Sequence, residues 1–218
     1  MPEKRKSKTE NDTMKKRTMP ELHRLTAEEF QAADKQPLVA ILDNVRSLHN
    51  IGAVFRTADA FCLEQIALCG ISGCPPNQEM HKTALGAEQT VSWQYFEQTL
   101  DAVRFWQEKG YKVYAVEQVH DSQTLEEVVS ELNKRSDLFG DAIVPSTGDA
   151  IVQPTDAAVV PPKGYAVVFG HEVFGVQQQV VDAVDGCIEI PQYGTKHSLN
   201  VSVTAGIVLY SLSNALRR

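Results

Sequence analysis

The sequence predicts an α/β fold in which helices flank a parallel sheet. Five short, continuously apolar runs are typical of strands that are buried on both faces. Helix-like patterns separate these runs, and alternating strands and helices favour a parallel sheet. With 218 residues, 43% of them hydrophobic, the chain is long enough to bury a substantial core.

The elements follow one another along the chain. The predicted strands are "PLVAIL" (37–42), "QIALCG" (65–70), "YKVYAV" (111–116), "YAVVFG" (165–170) and "GCIEIP" (186–191). The predicted helices are 51–62, 98–109, 123–134, 174–184 and 198–214. The last helix is apolar on nearly every side, which indicates that it is buried.

Two segments depart from this alternation. Residues 135–164 are rich in Pro, Gly and Asp, which predicts an insertion or a long surface loop. Residues 1–19 carry seven basic and three acidic side chains and few apolar ones, which predicts a disordered tail. An RNA-binding arm and a merely solubilising terminus both explain that charge. We therefore predict a basic tail at 1–21 and one domain at 22–218.

Composition excludes several classes of protein. No apolar run approaches the roughly 18 residues that span a bilayer, and the basic N-terminus lacks the apolar segment of a secretory signal. The four cysteines show neither a CxxC pair nor metal-ligand spacing. We expect free thiols in a reducing compartment, hence a cytoplasmic protein without membrane or metal.

Ligands of open α/β sheets bind beyond the carboxyl ends of the strands, and the first such end is "LDNVRSLHNIGAVFRTADAF" at 42–61. Asn50 is placed to cap the helix that follows. Arg56 lies off the apolar stripe of that helix. An ion pair with Asp59, three residues on, would explain Arg56 as an ordinary surface charge.

The second strand end is "VVFGHEVFGV" at 167–176. Gly170 directly after the strand permits close approach by backbone or ligand, and Glu172 lies in the following turn. His171 and Glu172 do not form a zinc-protease pattern, because the second histidine four residues later is absent. A surface histidine is the favoured interpretation of His171.

The third strand end is "IPQYGTKHSLNVSVTAG" at 190–206. Ser198 fits the N-cap of the last helix. Asn200 would then lie in the first turn, where a buried amide needs a partner. The glycine and serine patterns of nicotinamide binding, NTP hydrolysis and serine hydrolysis are absent from the chain, which argues against those activities.

Together, "NIGAVFRTADAF", "VVFGHEVFGV" and "IEIPQYGTKHSLNVSVTAG" resemble the three ordered motifs of the SpoU (TrmH-like) RNA 2′-O-methyltransferases of the SPOUT superfamily. "HKTALGAE" (81–88) fits as well, so the resemblance covers residues 22–216. Two features depart from the family: His171 replaces the usual Asn before the motif-two Glu, and the insertion at 135–164 lengthens a region that is usually short.

The resemblance implies a parallel α/β domain whose C-terminal segment forms a deep trefoil knot. It also implies that S-adenosyl-L-methionine is the methyl donor, bound mostly by backbone groups without a metal. Gly170, Ile190 and Leu199 match the family's cofactor positions. The family is dimeric, and each site is completed at the subunit interface.

The catalytic positions are likewise carried over residue by residue. Asn50 and Arg56 match the first motif, Glu172 the second, and Ser198 and Asn200 the third. The family assigns removal of the ribose proton to the motif-one arginine. A guanidinium stays protonated in nearly every protein site, however, so Arg56 is also interpreted as a group that holds phosphate and stabilises the developing alkoxide.

The implied function is methyl transfer to a ribose 2′-hydroxyl of tRNA or rRNA. We favour tRNA, because no separate RNA-binding domain precedes the catalytic one. A non-catalytic RNA-binding or assembly factor is the alternative, although loss of Arg56 or Asn200 would be expected there. A Rossmann-like nucleotide-dependent enzyme is a further alternative, against which the missing glycine fingerprint counts.

Overall fold

A computed structural model describes residues 14–18, 20–139 and 161–217. Most of the predicted tail and most of the predicted insertion at 135–164 lie outside these described residues. The chain divides into two compact units, Met1–Ala33 and Asp34–Arg218. In the described part, no helix is long and apolar enough to cross a membrane, and all four cysteines are free thiols.

The first unit contains a 3-10 helix at Pro20–Leu22 and helix α1 at Ala27–Ala32. A capping box begins α1: the Glu29 amide donates to Thr26 Oγ1 (3.2 Å), and the Thr26 amide donates to the Glu29 carboxylate (2.8 Å). The apolar pattern did not predict α1, because this short helix buries only Phe30.

The second unit is built on a parallel sheet. Its strands are β1 Gln36–Asp43, β2 Leu63–Cys69, β3 Trp93–Phe96, β4 Tyr111–Val116, β5 Gln123–Thr124, β6 Gly164–Phe169 and β7 Gly186–Glu189. Their order across the sheet is β3-β2-β1-β6-β4-β7-β5. The five predicted strands are confirmed. The sequence did not predict β3, an exposed edge strand, or β5, which has only two residues.

Helices cover both faces of this sheet. They are α2 Leu48–Ala60, α3 Gln78–Ala84, α4 Ala87–Thr90, α5 Thr99–Glu108, α6 Leu125–Phe139, α7 Gln178–Val181 and α8 Val201–Leu216. Helix α5 packs on one face, where Ala102, Val103 and Trp106 meet Val39 and Ile41 of β1. Helices α2 and α8 pack together on the other face, and α8 also contacts β1.

Both predicted N-caps are wrong. Ser47, not Asn50, caps α2, and its hydroxyl accepts the Asn50 amide at 3.4 Å. Asn200, not Ser198, caps α8, and its Oδ1 accepts the Ser202 amide at 2.9 Å. Serine and asparagine cap helices about equally well, so residue type alone does not decide between neighbouring candidates.

The prediction that α8 is buried is confirmed for one side of the helix only. Val203, Ile207 and Tyr210 are 50%, 38% and 55% exposed, whereas Val208, Leu209 and Leu212 are fully buried. The exposed residues are four and three positions apart, so they form one stripe along the helix. Because α8 is apolar on nearly every side, the sequence pattern cannot show which side the single chain covers.

Candidate active site

Glu172, in the loop after β6, is bound to the start of α2. Its Oε2 accepts a hydrogen bond from the Arg46 amide (3.1 Å), and its Oε1 accepts one from the Ser47 amide (2.9 Å). The Asn50 side-chain Nδ2 donates to Oε1 as well (3.0 Å). One carboxylate thus joins the second motif to the first.

Asn50 continues this connection to the third motif. Its Oδ1 accepts a hydrogen bond from Asn200 Nδ2 (3.2 Å). Asn200 Oδ1 in turn accepts from the amide and the hydroxyl of Ser202 (2.9 and 2.6 Å). Ser47, not Asn50, occupies the N-cap position, so the side-chain amide of Asn50 is available to bind both Glu172 and Asn200. Glu172, Asn50 and Asn200 therefore form one hydrogen-bonded chain across the three motifs.

The environment of Glu172 favours its ionised form. Burial opposes ionisation, but hydrogen bonds from the Ser47 amide, its own amide, the Arg46 amide and Asn50 outweigh it and lower the pKa of Glu172 below the ordinary value. The carboxylate is the form that these donors require. Glu172 is accordingly an acceptor at neutral pH, and the arrangement gives it no proton to donate.

A cavity of about 660 Å³ lies beside this chain at the carboxyl ends of β4, β6 and β7. Its volume falls within the range of small-molecule sites. The three predicted cofactor positions, Gly170, Ile190 and Leu199, all line it. So do Glu172, Ser198 and Asn200 among the predicted catalytic residues.

The loop after β6 is held closed by its own backbone. His171 and Gly175 exchange hydrogen bonds through their amides and carbonyls (3.0 and 2.9 Å). A side chain at position 170 would overlap the backbone of Gly175 and Val176, so Gly170 is required for this close approach. His171 Nδ1 accepts the Val173 amide (3.0 Å), and no cluster of metal-ligating side chains occurs among the described residues.

Two cavity residues after β4 were missed by the sequence reasoning. The Glu117 carboxylate accepts the Val176 amide (2.9 Å), and Gln118 Nε2 donates to the His197 carbonyl (3.2 Å). These residues connect the second and third motif loops. Their position could have identified them, because they are polar residues directly after a buried strand, where ligands of such sheets bind.

The side chains that line the cavity carry mainly negative charge. Three carboxylates line it, those of Glu117, Glu172 and Glu189, whereas its lining in the described part of the chain includes no lysine or arginine. Carboxylates attract a cation and repel phosphate. The cavity therefore suits a positively charged organic ligand better than a nucleotide phosphate.

Arg56 stands apart from this cavity. It is exposed on α2, and it forms no hydrogen bond or ion pair with any residue that the structure describes, Asp59 included. It lines a second cavity of about 530 Å³, which Lys82, Thr83 and Gly206 of α8 also border. Arg56 lies six positions after Asn50 in helix α2, about 9 Å along the axis.

Comparisons with known proteins agree with the sequence resemblance. The profile of the SpoU rRNA Methylase family matches residues 37–210. A tRNA (guanosine(18)-2′-O)-methyltransferase of Thermus thermophilus is 31% identical over 198 residues, which cover 90% of this chain and 84% of that protein. The 23S rRNA (guanosine-2′-O-)-methyltransferase RlmB of Vibrio cholerae is 28% identical, over 84% of this chain and 61% of its own length.

Solved structures share the fold. The TrmH/SpoU tRNA modifying enzyme of A. aeolicus superposes with a TM-score of 0.66 at 22% identity, covering 88% of this chain and 82% of its own. An AdoMet-bound rRNA methyltransferase of Sinorhizobium meliloti gives a TM-score of 0.62 at 20% identity, covering 85% and 59%. At these identities the likeness establishes the architecture alone.

Proposed function

Because this chain belongs to the SpoU rRNA Methylase family, we propose that it transfers the methyl group of S-adenosyl-L-methionine to a ribose 2′-hydroxyl of RNA. The Thermus and Vibrio relatives are named for this reaction on tRNA and rRNA. The observation that carries the proposal is the hydrogen-bonded chain Glu172–Asn50–Asn200, which joins the three motifs at the edge of the 660 Å³ cavity.

The residues present fit S-adenosylmethionine. The cavity is lined by carboxylates, which attract the cationic sulfonium and amino groups of this ligand. Gly170, Ile190 and Leu199 would hold the ligand through their backbone groups. Phosphate-bearing cofactors fit this cavity poorly, because its lining in the described part of the chain has carboxylates but no lysine or arginine. When bound, the ligand supplies a methyl group that is already activated for transfer.

The chain must then orient the ribose and stabilise the charge that develops on its 2′-oxygen. We assign the charge stabilisation to Arg56, whose guanidinium also suits the neighbouring phosphate. A guanidinium that remains protonated cannot accept the ribose proton, so that proton passes to solvent water as the methyl group is transferred. Asn50 and Glu172 orient the start of α2, and Ser198 and Asn200 shape the wall of the cavity nearest α8.

We further propose a homodimer that brings Arg56 to this cavity. The exposed stripe of α8, Val203, Ile207 and Tyr210, is an apolar surface that a second copy would cover. Gly206 lies within that stretch and borders the Arg56 cavity. Arg56 of one subunit would then serve the partner's cavity, which accounts for its separation from the other site residues. Two-fold symmetric dimers are the commonest oligomers.

We expect Ile207→Glu to produce a monomer, because the dimer would bury an unpaired carboxylate. Light scattering should give twice the 24.1 kDa chain mass for the wild type and the single mass for the variant. Ile71→Glu is the matched control: Ile71 is 61% exposed in the loop after β2, and its replacement should leave the dimer intact. A wild-type monomer at micromolar concentration would contradict the shared site.

Three finer features belong to the same proposal. We favour tRNA over rRNA, supported by the higher identity to the tRNA-modifying relative. We infer from the family membership that the C-terminal segment forms a trefoil knot, which an experimental density trace checks. The free thiols support a cytoplasmic location, which cell fractionation tests.

The purified protein is expected to bind S-adenosylmethionine with unchanged affinity in EDTA, since the cavity supplies carboxylates and backbone groups and the described residues form no metal cluster. Calorimetry with and without EDTA measures this.

Incubation with isotopically labelled donor and total RNA should then yield 2′-O-methylated nucleotides at the position that loses methylation in a deletion strain. Binding without any RNA methylation would favour the alternative, an RNA-binding or assembly factor.

A further inference from the structure

The loop that carries Glu172 has little hydrophobic burial to hold it. Val173 and Phe174 are 74% and 82% exposed, and Glu172 and Gln177 are exposed as well. Val176 is the buried residue of the loop. Since burial supplies little restraint here, polar contacts must fix the position of Glu172 relative to Asn50.

Two carboxylates supply such contacts from the strands on either side. Strand β6 lies between β1 and β4; β1 ends at Asp43, and Glu117 directly follows β4. Glu117, after β4, accepts the Val176 amide (2.9 Å). Asp43, at the end of β1, accepts the amide of Gln177 on Oδ2 (2.9 Å) and its side-chain Nε2 on Oδ1 (2.7 Å). Consecutive amides of the loop are therefore held by carboxylates on opposite sides.

Asp43 differs from Glu117 in one useful respect. Its side chain is fully buried and does not line the 660 Å³ cavity. Two further donors reach it, Thr99 Oγ1 (2.6 Å) and Asn44 Nδ2 (2.8 Å). All four of its hydrogen bonds come from neutral donors, so the site requires an acceptor on every side. An amide at this position would turn its own N–H groups toward donors.

We propose that Asp43 is a positioning residue for methyl transfer, which acts through Gln177 to hold the Gly170–Gln177 loop against the methyl-donor cavity. This inference rests on the proposed function and extends it to a residue that touches neither donor nor RNA. The sequence alone assigned no role to Asp43, because that role depends on β1 and β6 being neighbours in the sheet.

The test compares a variant that replaces the Asp43 carboxylate with a variant that removes one of its donors, Thr99. Asp43→Asn disturbs the contact with Gln177, and we expect the Kd for S-adenosylmethionine to rise about tenfold while the KM for RNA stays unchanged. Thr99→Val removes the contact from α5 and leaves the loop contacts in place. It should lower the thermal midpoint but keep the Kd within about twofold. Calorimetry, steady-state kinetics and thermal unfolding give these quantities.

Gln177→Met provides a second measurement that leaves Asp43 itself unchanged. It removes the side-chain amide that donates to Asp43 Oδ1 and accepts from Gln179, while the Gln177 backbone amide still donates to Asp43 Oδ2. We expect a threefold or larger rise in the Kd, about half of the Asp43→Asn effect on a logarithmic scale. The proposal is overturned if Asp43→Asn and Thr99→Val change the Kd equally. It is also overturned if Gln177→Met leaves the Kd unchanged. Should Asp43→Asn fail to fold, the Gln177→Met result alone decides. Failure of the wild type to bind the donor would instead refute the proposed function.

Discussion

Replacing Arg56 with alanine is expected to lower methyl transfer by about 10²–10³-fold, because the proposed mechanism then loses the cation that stabilises the negative charge developing on the ribose 2′-oxygen. The affinity for S-adenosylmethionine should stay within about threefold, since Arg56 does not line the donor cavity. Single-turnover kinetics and calorimetry measure the two quantities. Arg104→Ala, an exposed arginine on α5, is the matched control and should retain full activity. A variant that keeps more than about a tenth of wild-type turnover would contradict the assignment.

Co-expression with a second inactive variant tests whether Arg56 acts across the subunit interface. In a mixed dimer of Arg56→Ala and Glu172→Gln, one cavity combines an intact Glu172 with the partner's intact Arg56. Random pairing makes about half of the dimers mixed, and one of the two cavities in each mixed dimer is intact. About a quarter of all cavities, and hence about a quarter of the wild-type activity, should therefore be present. If Arg56 served its own subunit, every cavity would lack one residue and no activity would return.

The second large effect is expected from Glu172→Gln, which should lower turnover by about 10²-fold through misplacement of the site. Glutamine keeps one acceptor oxygen but turns an N–H group toward the amides of Arg46 and Ser47 or toward Asn50. Methylation rate and donor affinity measure the loss. Glu127→Gln is the control: Glu127 accepts the Thr124 amide (2.8 Å) at the start of α6, away from the cavity, and activity should persist.

The same pair of proteins has a predicted pH dependence. Because folding lowers the pKa of Glu172, its contribution to stability is fully present above the ordinary glutamate pKa of 4.5. It is lost as the pH falls through the lowered pKa of the folded state. The difference in the free energy of unfolding between wild type and Glu172→Gln should therefore be constant from neutral pH to about 5 and shrink below 4.5. A difference that grows on acidification would contradict the carboxylate's role as acceptor.

Local patterns in the sequence determined much of this protein. Continuous apolar runs located five of the described strands, because a strand buried on both faces has few polar positions. The three motif segments follow β1, β6 and β7, and ligands bind at such strand ends. The motif resemblance placed Gly170, Ile190 and Leu199, which line one cavity in the structure.

Tertiary structure alone decided which of these residues meet. Strand order places β6 between β1 and β4, so Asp43 and Glu117 reach consecutive amides of one loop although they are far apart in the chain. The side of α8 that stays exposed, and the separation of Arg56 from the main cavity, likewise depend on packing. Local patterns report whether a residue favours burial or a given backbone conformation. They carry no information on its neighbour in space, which the free energy of packing the whole chain selects.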